Sequence, residues 1–360
     1  MQTTSDARGQ NRVYTDYGAW CKNSTVSLST WPVCGGSGFE AALDDFGTPM
    51  DIVGLPVESD SSGTDNLGTG AVAFATFDTD SCGANADTAC ADGGLKVTLD
   101  GGATWYPVVE SGTPSTSLGG GTCDYDDFFS VRSEVAIDPR ASSYDDTGTY
   151  NFRLFITGES NSNGTCGLVE VEFDQGDLVS GAFEATWTTV AIPSACKIDG
   201  GNLSGVLVNP WLWTSTEAER VIVWGAWQNR SGTPWGGACS IKTDGTNPLF
   251  VLDPANTAHY FDVDDVVPHP WIDRVFVVQP SVKAVTRVEC GASCSKPVPF
   301  LAERLRALGA SDYGWVETDL STTGLQGLRG AAADVDWYAG DPTLYYATSG
   351  SGVHSTAITW

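Results

Sequence analysis

The sequence is poor in basic residues, and this scarcity excludes one large class of partner. Lysine and arginine together number 18, against 45 acidic residues, which leaves a formal net charge of −27. A phosphate backbone is repelled by such a charge, so we expect no nucleic-acid partner. Histidine occurs 3 times and methionine 2 times.

Long apolar runs are also missing. No stretch approaches the roughly 20 apolar residues that a membrane-spanning helix needs, so we expect no membrane span. The first residues, MQTTSDARGQNR, lack the apolar core of a secretory leader. If the protein is secreted, we therefore expect that its leader has already been removed.

The residues that are abundant favour β-structure. The chain holds 42 glycines and 13 tryptophans, and its hydrophobic content of 41% is sufficient for a large core. Asp, Ser and Thr fill the segments between short apolar runs, which is typical of strands joined by tight turns. The composition predicts one all-β domain over residues 1–360.

Ten cysteines indicate an oxidising compartment and a set of disulfides. Neither CGASC nor the scattered histidines offers a tetrahedral zinc site. Short separations predict the pairs Cys21–Cys34, Cys82–Cys90 and Cys290–Cys294. The pairs Cys123–Cys166 and Cys196–Cys239 then remain.

Four N-x-S/T sequons lie in polar, turn-like segments, at Asn23, Asn163, Asn202 and Asn229. A chain this rich in Ser and Thr shows some sequons by chance. From these sequons we nevertheless expect glycosylation of a secreted protein.

A recurring frame of short strands divides the chain. Each copy has an apolar strand ending near a proline or an acidic turn, then a β-branched or aromatic strand, then a strand led by glycine. Copies begin near residues 50, 133, 204, 262 and 332, and residues 1–49 precede them. Repetition of about four short strands predicts a β-propeller of five visible repeats, with a sixth blade as the alternative.

One turn carries a recognisable motif, TLDGGATW. It fits the Asp-box pattern S/T-x-D-x-G-x-T-W through Thr98, Asp100, Gly102, Thr104 and Trp105. The motif resembles the Asp-box (BNR-repeat) propellers, which include sialidases, sortilin-type receptor domains and xyloglucan-cleaving hydrolases. The resemblance implies a structural turn between the third and fourth strands of a blade, remote from any catalytic centre, with Trp105 packed between blades.

Catalytic residues are harder to identify. A sialidase-like site needs three convergent arginines, but Arg153, Arg220 and Arg274 share one repeat position, directly before the second strand, and are interpreted as periodic loop residues. A glycoside hydrolase needs a pair of carboxylates, but the sequence does not indicate which two of its 45 acidic residues lie close together. A propeller lyase would use His and Tyr, yet the adjacent His259 and Tyr260 would point to opposite faces of a strand.

We expect structural roles for all three histidines. His269 lies in a turn after an inner strand. His354 lies inside a terminal strand.

Two segments offer ligand sites. The acidic run over residues 78–94 could hold a structural Ca²⁺ through Asp78, Asp80, Asn85 and Asp87, although a solvated loop closed by Cys82 and Cys90 is the preferred interpretation. Tryptophans cluster around the third repeat, and Trp211 and Trp235 lie in proline-containing loops. Exposed Trp faces stack on sugar rings, so these two are predicted contacts for a glycan or a protein.

These observations predict a secreted, non-catalytic structural or interaction module without a cofactor, and a structural Ca²⁺ is the alternative. A carbohydrate-active propeller, as hydrolase, lyase or lectin, is the alternative. The last repeat lacks a complete outer strand, so residues 12–29 are predicted to add a strand to it and close the ring. If that strand came from a second copy, the protein would polymerise into a surface filament.

Overall fold

A computed structural model of the chain describes strands along its whole length, separated by gaps. The described residues are 2–5, 10–15, 18–23, 49–54, 72–77, 93–99, 104–111, 117–118, 123–124, 128–129, 133–138, 141–144, 148–158, 166–191, 203–208, 220–225, 237–242, 246, 249–252, 265–268, 274–279, 300–305, 314–319, 328–335, 342–348 and 352–357. They form 26 strands and a short 3-10 turn, Gln175–Asp177. The prediction of an all-β chain is confirmed for these residues.

The first three strands form a sheet of their own. They are β1 (Gln2–Ser5), β2 (Gln10–Thr15) and β3 (Gly18–Asn23), paired antiparallel in the order β1-β2-β3. Residues 12–29 were predicted to add a strand to the last repeat, and this prediction is wrong for the described part of that segment. Strands β2 and β3 pair with each other instead, because adjacent antiparallel strands joined by a short connection satisfy their hydrogen bonds locally.

The largest sheet has ten strands, and we call it the ten-stranded sheet. Its first half contains β4 (Pro49–Gly54), β5 (Ala73–Phe77), β6 (Gly94–Thr98) and β7 (Tyr106–Glu110), all antiparallel and in chain order. Its residues at β5 and β6 are buried on both faces, which matches the continuous apolar runs in this part of the sequence.

The second half of the ten-stranded sheet repeats this order. Its main strands are β10 (Glu134–Ile137), β12 (Tyr150–Thr157), β13 (Leu168–Asp174) and β15 (Ala182–Thr189). Two short strands lie off this path, β11 (Ser143–Tyr144) beside β12 and β14 (Leu178–Val179) beside β15. Between the halves, β8 (Ser117–Leu118) and β9 (Cys123–Asp124) pair with each other.

The two halves are joined through their last strands. Strand β15 pairs in parallel with β7, with Phe183 opposite Val108 and Ala185 opposite Glu110. The amide of Ser111 extends this ladder by donating to the carbonyl oxygen of Ala185 at 2.9 Å. We call this join the outer seam. Because β4 and β10, the two ends of the eight-strand path, also lie side by side, the sheet is nearly closed into a barrel.

Two four-stranded sheets and one three-stranded sheet follow, each antiparallel and in chain order. The first has β16 (Leu203–Val208), β17 (Arg220–Gly225), β18 (Gly237–Lys242) and β19 (Leu249–Leu252). The second has β20 (Asp265–Pro268), β21 (Arg274–Gln279), β22 (Phe300–Leu305) and β23 (Gly314–Asp319). The last has β24 (Leu328–Val335), β25 (Pro342–Thr348) and β26 (Gly352–Ala357).

The first strands of the sheets and of the two halves of the ten-stranded sheet lie next to one another in a cyclic order. Strand β4 lies beside β1 and β10, and β16 lies beside β10 and β20. Strand β24 lies beside β20 and, at the other end of the chain, beside β1. The two chain ends therefore meet through strands of separate sheets.

The main core fills the space between the halves of the ten-stranded sheet. Aromatic rings dominate it, with Phe74 5.0 Å from Phe152 and Phe173 5.0 Å from Phe183 between ring centroids. Ring edges meet ring faces at Phe74–Phe152, a geometry that adds to the stabilisation from burial. A second cluster on the other face of β12 packs Phe155 with Val206, Val208 and Ile241 of the next sheet.

Candidate functional site

The first candidate site lies where the two halves of the ten-stranded sheet meet through β4 and β10. These strands share no backbone ladder; side chains bridge their edges instead. The amide of Val135 donates to Oδ2 of Asp51 at 2.8 Å, and the hydroxyl of Thr76 donates to the carbonyl oxygen of Ser133 at 2.7 Å. One donor of β10 and one acceptor directly before β10 are thereby satisfied, as the cost of burying unpaired backbone groups requires. We call these four residues the inner seam.

The position of Asp51 follows from the strand register. Asp51 pairs with Thr76 across β4 and β5, so both side chains leave the sheet on the same face, the face directed at β10. Asp51 keeps some exposed surface as a residue, but its carboxyl group is enclosed, and the carboxyl group governs ionisation. Burial raises its pKa to about 6, and hydrogen bonds from the amides of Val135 and Ile52 partly oppose this rise.

The inner seam continues into the segment that precedes β10. The hydroxyl of Ser133 donates to the carbonyl oxygen of Phe128 at 3.1 Å, and the ring of Phe128 packs at 5.0 Å from that of Phe129. Gly158 lies directly against Phe128: a Cβ atom there would collide with its carbonyl oxygen and lie 2.9 Å from two ring carbons. Close approach of the two segments therefore requires glycine at position 158.

A second group of polar residues surrounds Arg153, on the face of β12 that points away from the main core. We call this group the arginine cluster. The Arg153 guanidinium lies 3.3 Å from Asp138 and 3.7 Å from Glu172, and its Nε donates to Glu170. Both glutamates come from β13, where Glu172 is directly opposite Arg153. The Asp138 side chain is only 2% exposed, so this ion pair is largely shielded from water.

Backbone and ring contacts hold Arg153 in place. Its guanidinium carbon lies 5.2 Å from the ring centroid of Phe155, within the range of a cation–π contact. The hydroxyl of Ser142 accepts from the Arg153 amide at 3.0 Å and lies 3.2 Å from its carbonyl oxygen, to which it donates. An arginine committed to three carboxylates and a ring is not available to clamp the carboxylate of a substrate.

The three arginines of the sialidase hypothesis do not lie in loops, which corrects the sequence interpretation. Arg153 is the fourth residue of β12, and Arg220 and Arg274 are the first residues of β17 and β21. Their partners across the next strand differ: Glu172, Lys242 and Leu305, respectively.

The segment TLDGGATW connects β6 to β7, the third and fourth strands of its unit. Val97 of β6 pairs with Tyr106 of β7, so the turn spans the residues between them. Thr98 is buried, and Trp105 packs edge to face on Phe77 of β5 at 6.4 Å. The contact shown for Trp105 thus lies within its own sheet. Asp100 and Gly102 lie outside the described residues.

The remaining predicted ligand positions fall outside the described part of the chain. These are the calcium candidates Asp78, Asp80, Asn85 and Asp87, the tryptophans Trp211 and Trp235, and His259, Tyr260 and His269. His354 lies within β26, opposite Tyr346, in agreement with the predicted strand position. Among the described residues, no group of three or more His, Cys, Asp and Glu side chains is arranged to hold a metal ion.

Cysteines and sequons are described in part. Cys166 is buried and disulfide-bonded. Cys21, Cys123 and Cys239 lie in β3, β9 and β18, and Asn23 ends β3. The other predicted cysteines and sequons lie outside the described residues: Cys34, Cys82, Cys90, Cys196, Cys290, Cys294, Asn163, Asn202 and Asn229. All five pairings stay predictions. Within the described chain, no helix is long and apolar enough to span a membrane.

Sequence reasoning missed the inner seam. Its signal was an acidic residue at the start of an otherwise apolar strand, in MDIVG and again in SEVAI. Glu134 stands opposite Thr157 of β12 as Asp51 stands opposite Thr76 of β5. Thr157 is buried, and its hydroxyl has no hydrogen-bond partner among the described residues. The two halves thus share the acid–threonine position, and the pattern could have been found by aligning strands by register.

Comparisons with known proteins give structural likeness alone. No protein-family model and no curated protein match the sequence. Solved structures similar to this chain include the major allergen Mala s 1 of Malassezia sympodialis, at 11% identity and a TM-score of 0.47, with 96% of this chain and 86% of that chain covered. AofleA from Arthrobotrys oligospora is similar at 11% identity and 0.46, covering 100% and 82%. An alpha-L-arabinofuranosidase from Lactobacillus brevis is similar at 11% and 0.39, covering 88% and 94%.

Proposed function

We propose that the chain is a six-bladed Asp-box β-propeller that serves as a non-catalytic extracellular structural or interaction module. The blades would be the N-terminal sheet, the two halves of the ten-stranded sheet, and the three sheets that follow. The closed sequence of first strands, β1-β4-β10-β16-β20-β24, supports this count, because in a propeller the innermost strands surround the central axis.

The proposed role rests on the bonds that the polar side chains of the described residues form within the protein. Asp51, Thr76 and Ser133 form hydrogen bonds between strand edges. Arg153 forms ion pairs with three carboxylates. Groups committed to internal bonds hold sheets together, whereas a catalytic acid, base or clamp must reach a substrate. The described polar chemistry therefore supports a rigid scaffold.

Composition supports an extracellular setting. Ten cysteines suit an oxidising compartment, and Cys166 is disulfide-bonded. The net charge of −27 favours solubility and disfavours acidic partners, so glycans and neutral or basic extracellular proteins are the proposed ligands. N-glycans at the four sequons belong to this proposal.

Self-assembly is one form of the same role. Strand β1 and strand β24 lie side by side although they come from opposite ends of the chain. Exchange of the N-terminal sheet between copies would use the same contact and build a head-to-tail filament.

A carbohydrate-active propeller is the second candidate, favoured by the tryptophan-rich segments NPWLWTS and VWGAWQNRSGTPWGG. A glycan array, combined with a panel of polysaccharide hydrolase and lyase assays on the intact protein, separates the two. We expect no turnover of any polysaccharide. Turnover would overturn the non-catalytic role, whereas glycan binding without turnover that is lost in Trp211→Ala and Trp235→Ala would identify a lectin.

Self-assembly is tested separately by light scattering after size-exclusion chromatography, on the full chain and on a variant lacking residues 1–30. Loss of a filament on deletion supports exchange of the N-terminal sheet. A filament that persists in the deletion variant would refute that route.

A further inference from the structure

The nearly closed ten-stranded sheet is held unequally around its circumference. Backbone ladders join each neighbouring pair along the path from β4 to β10 by way of β7 and β15. At the inner seam, by contrast, no backbone ladder joins β4 to β10, and the bridges between the strands include two hydrogen bonds of side chains, Val135 to Asp51 and Thr76 to Ser133. A local opening of a sheet begins where no cooperative backbone ladder has to break.

We propose that the inner seam is the opening point of the ten-stranded sheet, and that the protonation state of the Asp51 carboxyl group determines how tightly this seam is held. Opening there separates β4 from β10 without breaking any strand ladder. It gives water access to the aromatic core between the two halves.

The charges around Asp51 identify it as the controlling group. Strand β4 packs against β1, β5 and β10, and of these only β10 carries a titratable residue, Glu134. Strand alternation places Glu134 on the face of Ala136, which packs toward Val206 and Val208, away from Asp51. No charged side chain of these strands therefore compensates the ionised carboxylate of Asp51.

Two opposing effects act on that carboxylate. Ionisation strengthens the hydrogen bond from the Val135 amide, because a charged acceptor binds more strongly. Ionisation also places a charge in a desolvated position. The raised pKa, about 6 against 3.8, shows that desolvation is the larger effect. The closed seam thus binds a proton more tightly than the open seam does, so a rise in pH through this range favours opening.

Amide hydrogen exchange on the full chain tests the proposal directly. We expect the protection factor of the Val135 amide, corrected for the intrinsic exchange rate, to fall about tenfold between pH 5 and pH 7. Val171, in the middle of β13, serves as the internal reference and keeps its protection.

Three variants separate protonation from packing. Asp51→Asn keeps a carbonyl acceptor for Val135 and carries no charge, so its protection at Val135 should not change with pH. Asp51→Ala removes the acceptor and should lower the protection of Val135 at both pH values. Glu184→Gln makes the same chemical change at an exposed position of β15 and should retain the pH dependence of the unaltered protein.

The contrary results are equally specific. A protection factor at Val135 that stays constant from pH 5 to pH 7 in the unaltered protein overturns the proposal. So does an equal fall in Asp51→Asn, which would assign the effect to another group, or an equal fall at Val171, which would indicate opening of the whole sheet.

Discussion

At the scale of single residues, close approach decides positions that hydrophobic patterning leaves open. Gly158 directly follows β12 in a buried position, and the backbone and ring of Phe128 occupy the space of a side chain there. The same segment receives the hydrogen bond from Ser133, so a shift of Phe128 would also disturb the inner seam.

Gly158→Ala should therefore destabilise the protein by about 1–3 kcal/mol, because the added methyl group overpacks a filled site. Chemical denaturation measures this free energy of unfolding. Gly148→Ala is the comparison for backbone strain alone, since nothing lies within 4 Å of a Cβ atom at Gly148 and its φ is +90°. Unchanged stability in Gly158→Ala would contradict the close packing of Phe128.

At the scale of elements, the turn of the hairpin between β14 and β15 has a conformation that only one of its two central residues favours. Val179 pairs with Ala182, and the two residues between them, Ser180 and Gly181, have φ values of 53° and 91°. Two positive φ values define a type I′ turn, for which Asn-Gly is the favoured sequence. Serine adopts this conformation less readily than asparagine does.

Ser180→Asn should raise the free energy of unfolding by about 0.5–1 kcal/mol, because asparagine tolerates the left-handed conformation better. Gly181→Ala should lower it by about 1–2 kcal/mol, since the site has space for a methyl group but an unfavourable φ. Thermal melts of both variants provide the check. A destabilised Ser180→Asn protein would show that the turn has another conformation in solution.

The outer seam is a second feature at this scale. The amide of Ser111 donates to the carbonyl oxygen of Ala185, a buried residue of β15. Ser111→Pro removes this donor and leaves the carbonyl oxygen without it, which should cost about 1–3 kcal/mol. Ser111→Ala keeps the amide and should remain near the unaltered stability. Equal denaturation midpoints for the two variants would rule out a contribution from this bond.

At the scale of the whole molecule, a disulfide bond adds to the stabilisation that the sheets provide. Cys166 is 3% exposed, lies in the core between the halves of the ten-stranded sheet and is disulfide-bonded. Its predicted partner is Cys123, which lies in β9, between the two halves. A link of this kind restricts the unfolded chain and so stabilises the folded one.

Cys166→Ser should lower the free energy of unfolding by about 2–4 kcal/mol. Peptide mapping without reduction identifies the partner, and Cys166→Ser should leave the thiol of Cys123 free. A map that joins Cys166 to another cysteine would overturn the predicted pairing while preserving the stabilisation.

Much of the strand content could be predicted from residues. The segments MDIVGLP, SEVAIDPR and SGVLVNP each overlap the first strand of a unit, and TLDGGATW connects two paired strands. These predictions rest on local effects: β-branched and aromatic residues favour strands, and Asp-Gly segments favour turns. Local effects also made the all-β class predictable.

The sequence by itself thus determined which segments form strands and that they pair mostly with their neighbours. The tertiary structure alone decided three further features: the parallel pairing of β15 with β7, the separate N-terminal sheet, and the surroundings of Asp51 and Arg153. The parallel pairing and the surroundings of Asp51 depend on residues far apart in the chain, such as Val108 and Phe183 or Asp51 and Val135. No local propensity encodes such contacts, because they form only when whole sheets pack and every strand edge must find a partner.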